Sequence, residues 1–415
     1  MTLTAPPAAR PAQETPRPDP TPGPSRPEPL TAPDGILAAA VARAAEVAGE
    51  HAAEVDRQAR FPAEALQALR ATGALSALVP AELGGGGASF AAVARACGTL
   101  GRSCSATGMI FAMHQIQVAC LVRHARHTPF FEDYLTELGR ESRLIGSVTS
   151  EASTGGDMGR SSAAVEQRDG AACLDKQAPT VSYGAHADDL LTTARRDPGA
   201  DAGDQVLVLT RADQHRLEPV SRWDPMGMRG TSSPGFVLRA RFAPEQVLPV
   251  PFAQVSSESM VPISHLLWAH LWSGIAADAH DRARAFVRAS AVRTGSPGAP
   301  GRRLSGLAGQ LSLLQSEIAS CLDHFERESA QPGRAGLTTM AAALRYNNLK
   351  ITASETAVSI ALGALSVTGF MGYKNDSPYS VGRHVRDLLS APVMVSNDRL
   401  HESNAGLLLV VKESS

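Results

Sequence analysis

Aromatic residues are scarce, at 5% of the 415 residues. A core short of large rings must be filled by aliphatic side chains, and abundant Ala favours closely packed helices. Cysteine is also sparse. Cys97, Cys104, Cys120, Cys173 and Cys321 are odd in number and form no CxxC pair, which argues against a disulfide framework and a structural zinc site. Buried free thiols in a reducing cytoplasm are the expectation. Net charge is only -2, with an isoelectric point near 6.6, so no field draws a polyanion and nucleic acid is not an expected partner. No apolar run reads as long enough to span a bilayer, so no membrane is expected. The N-terminus lacks the basic-then-apolar order of a secretory signal.

Residues 1–33 are rich in Pro, Ala and Thr. Such a segment buries little and is expected to be a disordered tail. From Asp34, a candidate N-cap, Ile36, Leu37, Val41 and Ala44 follow helical spacing. A second helix is expected through Ala63, Leu66 and Leu69 to Thr72-Gly73, and a third stretch from Phe90 to about Arg126. Residues 34–143 therefore read as a helical domain. The period changes near Leu144. Ile145–Thr149, Val181, Asp189–Thr193, Val206–Leu209, Phe236–Ala240 and Val247–Val250 read as short strands in a β-barrel or sandwich over residues 144–255. Residues 256–415 return to helix, over His265–Val292, Leu304–Glu328, Thr338–Gly369 and Ser380–Leu409, with a loop at Thr294–Arg303. The fold class is α+β, ordered helices, strands, helices.

Four phrases carry more than this order. Leu78-Val79-Pro80-Ala81-Glu82-Leu83-Gly84-Gly85 resembles the Pro-Glu-x-Gly-Gly turn of the acyl-CoA dehydrogenase family. Ser150-Glu151-Ala152-Ser153-Thr154-Gly155-Gly156-Asp157 is similar to its Thr-Glu-Pro-Gly-Ala-Gly-Ser-Asp loop. Met226-Gly227-Met228-Arg229-Gly230-Thr231 resembles its Gly-Met-Arg-Gly-Thr segment. Gly369-Phe370-Met371-Gly372-Tyr373, followed by Arg386-Asp387, resembles its Gly-Gly-x-Gly-Tyr and Arg-Asp. The resemblance spans about residues 35–412. It implies an N-terminal helical domain, a middle β-barrel and a C-terminal helical bundle, with FAD between the last two. It also implies a homotetramer or dimer.

The family's flavin-edge Thr falls on Ser150, and its Gly-Ser-Asp serine on Gly156. Its flavin-covering Trp-Ile-Thr falls on Thr180-Val181-Ser182, which keeps a hydroxyl and loses the shielding ring. Its phosphate-binding Arg falls nearest Arg293, with Arg302 and Arg303 as substitutes, and Gly372 is a further cofactor candidate. Glycine and short hydroxyl residues suit such a site, because they admit close backbone approach and supply hydrogen bonds.

The family's carboxylate base is not where the alignment expects it. That position falls on Val395, and the family's alternative on Ala269. Asp398, one helical turn past Val395, is the first candidate base, with His401 and Glu402 beside it. The resemblance implies α,β-dehydrogenation of an acyl or aminoacyl thioester, on CoA or an acyl-carrier protein, with an electron-acceptor flavoprotein as partner. A second reading is a monooxygenase that takes reduced flavin from a flavin reductase and reacts with oxygen. His114 and His384 are its candidate site histidines. A third is a flavin-binding protein without turnover.

Overall fold

The computed structural model describes residues 32–411 except Gly156. The Pro-rich segment lies almost wholly outside that range, and the role expected of Gly156 lies outside it too. Five helices come first: α1 (Ala32–Gln58), α2 (Ala63–Ala71), α3 (Phe90–Ser103), α4 (Ser105–His124) and α5 (Pro129–Glu141). The helical stretch expected from Phe90 to about Arg126 is two helices, because Cys104 is extended at φ -148° and ψ 112°. Asp34 lies inside α1 and does not cap it. Its carboxylate accepts from the Ser89 N–H at 2.8 Å and the Ser89 hydroxyl at 2.7 Å. Ser89 in turn caps α3 by accepting from the Ala92 N–H, so one carboxylate ties the starts of two helices.

Seven strands follow: β1 (Ile145–Val148), β2 (Glu166–Arg168), β3 (Ala171–Ala178), β4 (Asp189–Arg195), β5 (Gln205–Arg211), β6 (His215–Pro219) and β7 (Phe236–Phe242). They form two sheets, ordered β1-β4-β5 and β2-β3-β7-β6, with β1 parallel to β4. The sheets do not close into the expected barrel. Val181 and Val247–Val250 are not strands either; Val247 makes only an isolated bridge to Val208.

The continuous apolar run of β5 has a direct cause. Val206 and Val208 enter the core between the sheets, whereas Leu207 and Leu209 enter the helical core behind. β7 instead alternates Phe236, Leu238, Ala240 and Phe242 inward with Val237, Arg239 and Arg241 outward. Asp189, fully buried at the start of β4, anchors α5 to the sheet. It takes two bonds from Arg143 at 2.6 and 2.8 Å and one from the Tyr134 hydroxyl at 2.8 Å.

The C-terminal half contains α6 (Phe252–Val255), a π-helical turn (Ser256–Met260), α7 (Val261–Thr294), α8 (Gly298–Ser329), α9 (Met340–Thr368), α10 (Phe370–Tyr373), α11 (Gly382–Leu388) and α12 (Asn397–Leu408). The loop expected over Thr294–Arg303 is shorter, since α8 begins at Gly298. The last expected helical stretch, Ser380–Leu409, consists of α11 and α12 around a turn at residues 389–396. α7 packs on α3, α4, α8 and α9, and Ala269, Ala276, Ala279, Ala353, Ala357 and Ala361 are fully buried in these contacts. Small side chains thus do the work that rings do elsewhere. Contrary to the sequence expectation, α4 and α9 are each long and apolar enough to cross a membrane. The apolar window of α4 is 89% buried inside the fold, as in a core helix. All five cysteines are buried and unpaired.

Candidate functional site

Two adjoining clefts, of about 760 and 970 Å3, open where the sheets meet the helices. They share Thr149, Ser150, Met158, Val261, Asn347 and Val395 along their borders, so they run into one another.

The smaller cleft has a wall of short hydroxyl residues on the sheet side. The Ser150 hydroxyl, just past β1, donates to the Thr180 carbonyl at 2.6 Å. The Ser182 hydroxyl accepts from Ser233 at 3.0 Å, and Ser233 shares a 2.8 Å bond with Thr231. Ser150, Thr180 and Ser182 are therefore brought together on one cleft. Val181 between them turns into the sheet core and is fully buried.

The loop after Ser150 is anchored from below by Glu151. Its buried carboxylate accepts from the Ser161 hydroxyl at 2.6 Å, the Ser162 and Ala163 N–H groups, and the Ser162 hydroxyl. Lys176 lies 3.5 Å away and donates to the carbonyl and hydroxyl of Thr193. Burial raises the Glu151 pKa, but the serine hydroxyls and the Lys176 ammonium outweigh it and hold the carboxyl at about 2. Burial pushes Lys176 down to about 8 against the pull of Glu151.

The opposite wall comes from α4 and α7. Met109, Met113, Ile116 and Gln117 share one face of α4, while Met260, Val261, Ser264, His265 and Trp268 present one face of the π turn and α7. With Met158, Met226, Met228 and Met394, seven of the chain's ten methionines line this cleft. His265, 2% exposed, holds its Nδ1 at 3.0 Å from the Tyr346 carbonyl. A carbonyl only accepts, so Nδ1 carries the proton and Nε2 keeps its lone pair. Burial pushes this imidazole down to about 4, so it is neutral at pH 7.

Two of the resemblance phrases meet at the cleft's rim. The Met228 N–H donates to buried Asp387 at 2.7 Å. Arg386 donates to both oxygens of Asp56 and, at 2.9 Å, to the Met226 carbonyl. A Cβ on Gly227 would lie 2.0 Å from the Arg386 carbonyl oxygen, so only glycine allows this approach. The Arg229 Nε donates to the Asp56 carbonyl of α1 at 2.9 Å. These residues lock α1, the sheets and α11 together, and burial raises the pKa of Asp387.

The turn at 389–396 closes the cleft on its last side. Val395, the aligned position of the family's base, has φ 49°, a left-handed conformation that a β-branched residue adopts only under constraint. Buried Lys350 supplies that constraint, donating to the Val395 carbonyl at 2.8 Å and to Asn397 Oδ1 at 2.6 Å.

The other expected site residues do not line the smaller cleft. Asp398 and His401 are exposed on α12 and line neither cleft, whereas Glu402 borders the larger one. Arg293 is exposed near the end of α7, away from both clefts. Gly372 is buried, and a Cβ there would come 1.8 Å from the Thr368 hydroxyl, so its small size serves the packing of α10 on α9. His114 is a core group: its Nδ1 accepts from the Ile145 N–H at 3.0 Å and its Nε2 donates to the Leu75 carbonyl at 2.7 Å. Burial pushes it down to about 4. His384, also buried, lies 2.7 Å from Asp278, which Arg282 also holds.

Sequence reasoning missed the α4–α7 wall. Its spacing was visible, but a methionine stripe at helical period reads equally as core. His265, one turn before Ala269, carried no motif.

Comparison with known proteins agrees with this architecture. Residues 35–138 match the model of the acyl-CoA dehydrogenase N-terminal domain. The chain is 24% identical to the human mitochondrial short-chain specific acyl-CoA dehydrogenase over 81% of its own length and 80% of that protein's. It is 26% identical to the L-evernosamine nitrososynthase of Micromonospora sp., over 83% and 82% respectively. FMN-bound TdsC of Paenibacillus sp. A11-2, a dibenzothiophene monooxygenase, superposes with a TM-score of 0.77 at 20% identity, covering 90% of this chain and 97% of that one. Residues 35–138 thus form an acyl-CoA dehydrogenase N-terminal domain, and the homologues that align with the chain are enzymes of the acyl-CoA dehydrogenase-like kind. These relatives include dehydrogenases, monooxygenases and nitrososynthases.

Proposed function

We propose that this enzyme is a flavin-dependent monooxygenase that takes reduced flavin from a separate reductase and oxygenates a largely apolar substrate between α4 and α7. One observation carries the reading. Among the described residues, no Asp or Glu lines the smaller cleft, so no carboxylate there can take the proton α to a thioester carbonyl. Thr180 in place of a covering ring widens the same cleft, which suits oxygen and a broad substrate.

The residues fit a flavin. The smaller cleft has Thr149, Ser150, Thr180 and Ser182 in its lining, where hydroxyl and backbone groups can meet a polar ring margin. The larger cleft continues it with Ser256, Ser257, Thr338, Thr339 and Arg399, short donors and one cation that suit phosphate. A reduced flavin, when bound, would supply two electrons to oxygen, with one oxygen atom passing to the substrate and the other leaving as water. The protein's part is to exclude bulk water with the methionine wall and to hold the substrate in one orientation. Both FMN and FAD suit this arrangement. Exposed Phe370, Tyr373 and Leu409, at 73, 70 and 87%, give the C-terminal surface an apolar character that supports homo-oligomer assembly.

A second reading, α,β-dehydrogenation of an acyl thioester, is favoured by His265, whose free Nε2 lies one turn from the family's alternative base position. The two are separated by paired assays. The enzyme is supplied with reduced FMN or FAD under labelled oxygen, with indole and dibenzothiophene as probes, and products are checked for label. Separately, the oxidised flavoprotein is mixed without air with butyryl-CoA and longer acyl-CoAs. Labelled product with no bleaching is expected. Rapid anaerobic bleaching by a thioester, with no label incorporated, sinks the monooxygenase reading.

A further inference from the structure

Two buried polar atoms on the α4–α7 wall have no protein partner among the described residues. Trp268 Nε1 is a donor on a residue 8% exposed, and Gln117 Oε1 an acceptor on a residue 3% exposed. The Gln117 amide nitrogen donates to the Met113 carbonyl at 3.3 Å, which leaves the oxygen as the free end. His265 lines the same cleft, and its Nε2 is an acceptor once Nδ1 donates to the Tyr346 carbonyl. All three residues line the smaller cleft. Buried donors and acceptors are nearly always paired, so an unpaired set on one cavity wall marks the place of a ligand. Trp272, one turn further on, is also unpaired, but it lies off the cleft with the Lys350 ammonium 6.0 Å from its ring centroid.

We propose that this wall is a recognition subsite for an uncharged ring-borne group that presents a hydrogen-bond acceptor beside a donor, as a lactam or cyclic amide does. The group's oxygen accepts from Trp268 Nε1, and its N–H donates to Gln117 Oε1 or His265 Nε2. Charge is disfavoured, because no acidic or basic side chain lies on this wall and neutral His265 offers no counter-ion. A carboxylate would face two acceptors and only one donor. Arg386, on the far rim, is already committed to Asp56. The ring is favoured by the surrounding thioethers of Met109, Met113 and Met260 and by the Trp268 indole, which pack well on flat, polarisable surfaces.

The assignment rests on the smaller cleft being the substrate cleft. It does not depend on turnover, so it is tested by binding. The full-length flavin-loaded protein is titrated by calorimetry with 2-oxindole (donor and acceptor), 1-methyl-2-oxindole (acceptor only), indane (neither) and benzoate. Affinity is expected to fall about tenfold from the first probe to the second and again to the third, with benzoate weakest. Trp268→Phe keeps a ring and removes the donor. It should weaken both oxindoles about tenfold and leave indane within about twofold. Gln117→Met should weaken 2-oxindole alone. Equal affinity for indane and 2-oxindole, uniform weakening of all probes by Trp268→Phe in a folded protein, or no binding of any probe overturns the proposal. Failure of the labelled-oxygen assay with these binding differences intact would instead count against the monooxygenase reading.

Discussion

The two walls of the smaller cleft are built on opposite terms. On the sheet side, Ser150, Ser182, Thr231 and Ser233 satisfy one another or a backbone carbonyl, over a foundation in which Glu151 is bonded several times. On the helical side, Gln117 and Trp268 each keep a buried polar atom unpaired among the described residues, amid methionines. A wall already satisfied is rigid before anything binds, whereas a wall with unpaired buried atoms gains most when a ligand arrives. The difference assigns positioning to the first and selection to the second.

The most severe way to break the comparison is at the rim where both walls meet. Gly227→Ala drives a Cβ into the Arg386 carbonyl. Because the obstacle is backbone, the α11 junction must shift, and a loss of about 3 kcal/mol or more is expected from urea unfolding. A change below 1 kcal/mol would show that the rim is pliable.

Lys350→Met should cost about 1–3 kcal/mol, because the Val395 carbonyl and Asn397 lose their buried donor. Hydrogen exchange should rise selectively over residues 389–397, while the sheet wall stays protected. Equal exchange in both regions would mean that Lys350 does not constrain the turn.

Acid sharpens the contrast. Histidines 114 and 265 sit near 4 in the fold, below their ordinary value of 6.5. The unfolded chain therefore binds protons first, and stability falls as pH drops from about 6.5 towards 4. The Glu151 carboxyl sits near 2, below its ordinary 4.5. Its contribution is complete above about 4.5 and is lost as pH falls towards 2. The helical wall should loosen at higher pH than the sheet wall, as residue-resolved exchange across a pH series can read. Simultaneous loosening would refute the order.

The smallest effect is expected from Asp398→Asn. This residue is exposed on α12 and off both clefts, so turnover should stay within about twofold, as for a surface change away from the chemistry. A loss of orders of magnitude, with flavin retained, would instead make Asp398 the base and restore the dehydrogenase reading.

Much of the fold was legible in the chain. Helical spacing and Thr72-Gly73 located α2, and the buried runs at 189–193 and 206–209 located β4 and β5. Short polar strands were not: β2 and β6 contain no fully buried residue, so no apolar alternation marks them. The hydroxyl edge was legible too, since Ser150, Thr180 and Ser182 occur in phrases whose order carried the resemblance.

The chain by itself determined the helix–strand–helix order, the hydroxyl edge, and the loss of a carboxylate at Val395 and Ala269, because period and residue type are local properties. Only the tertiary structure decided which of twelve histidines faces the cleft, that Glu151 is an anchor, and that the methionines of α4, the π turn and distant loops line one cleft. Those are matters of which helix faces meet and which polar atoms are left unpaired, and neither is written in the spacing along a single segment.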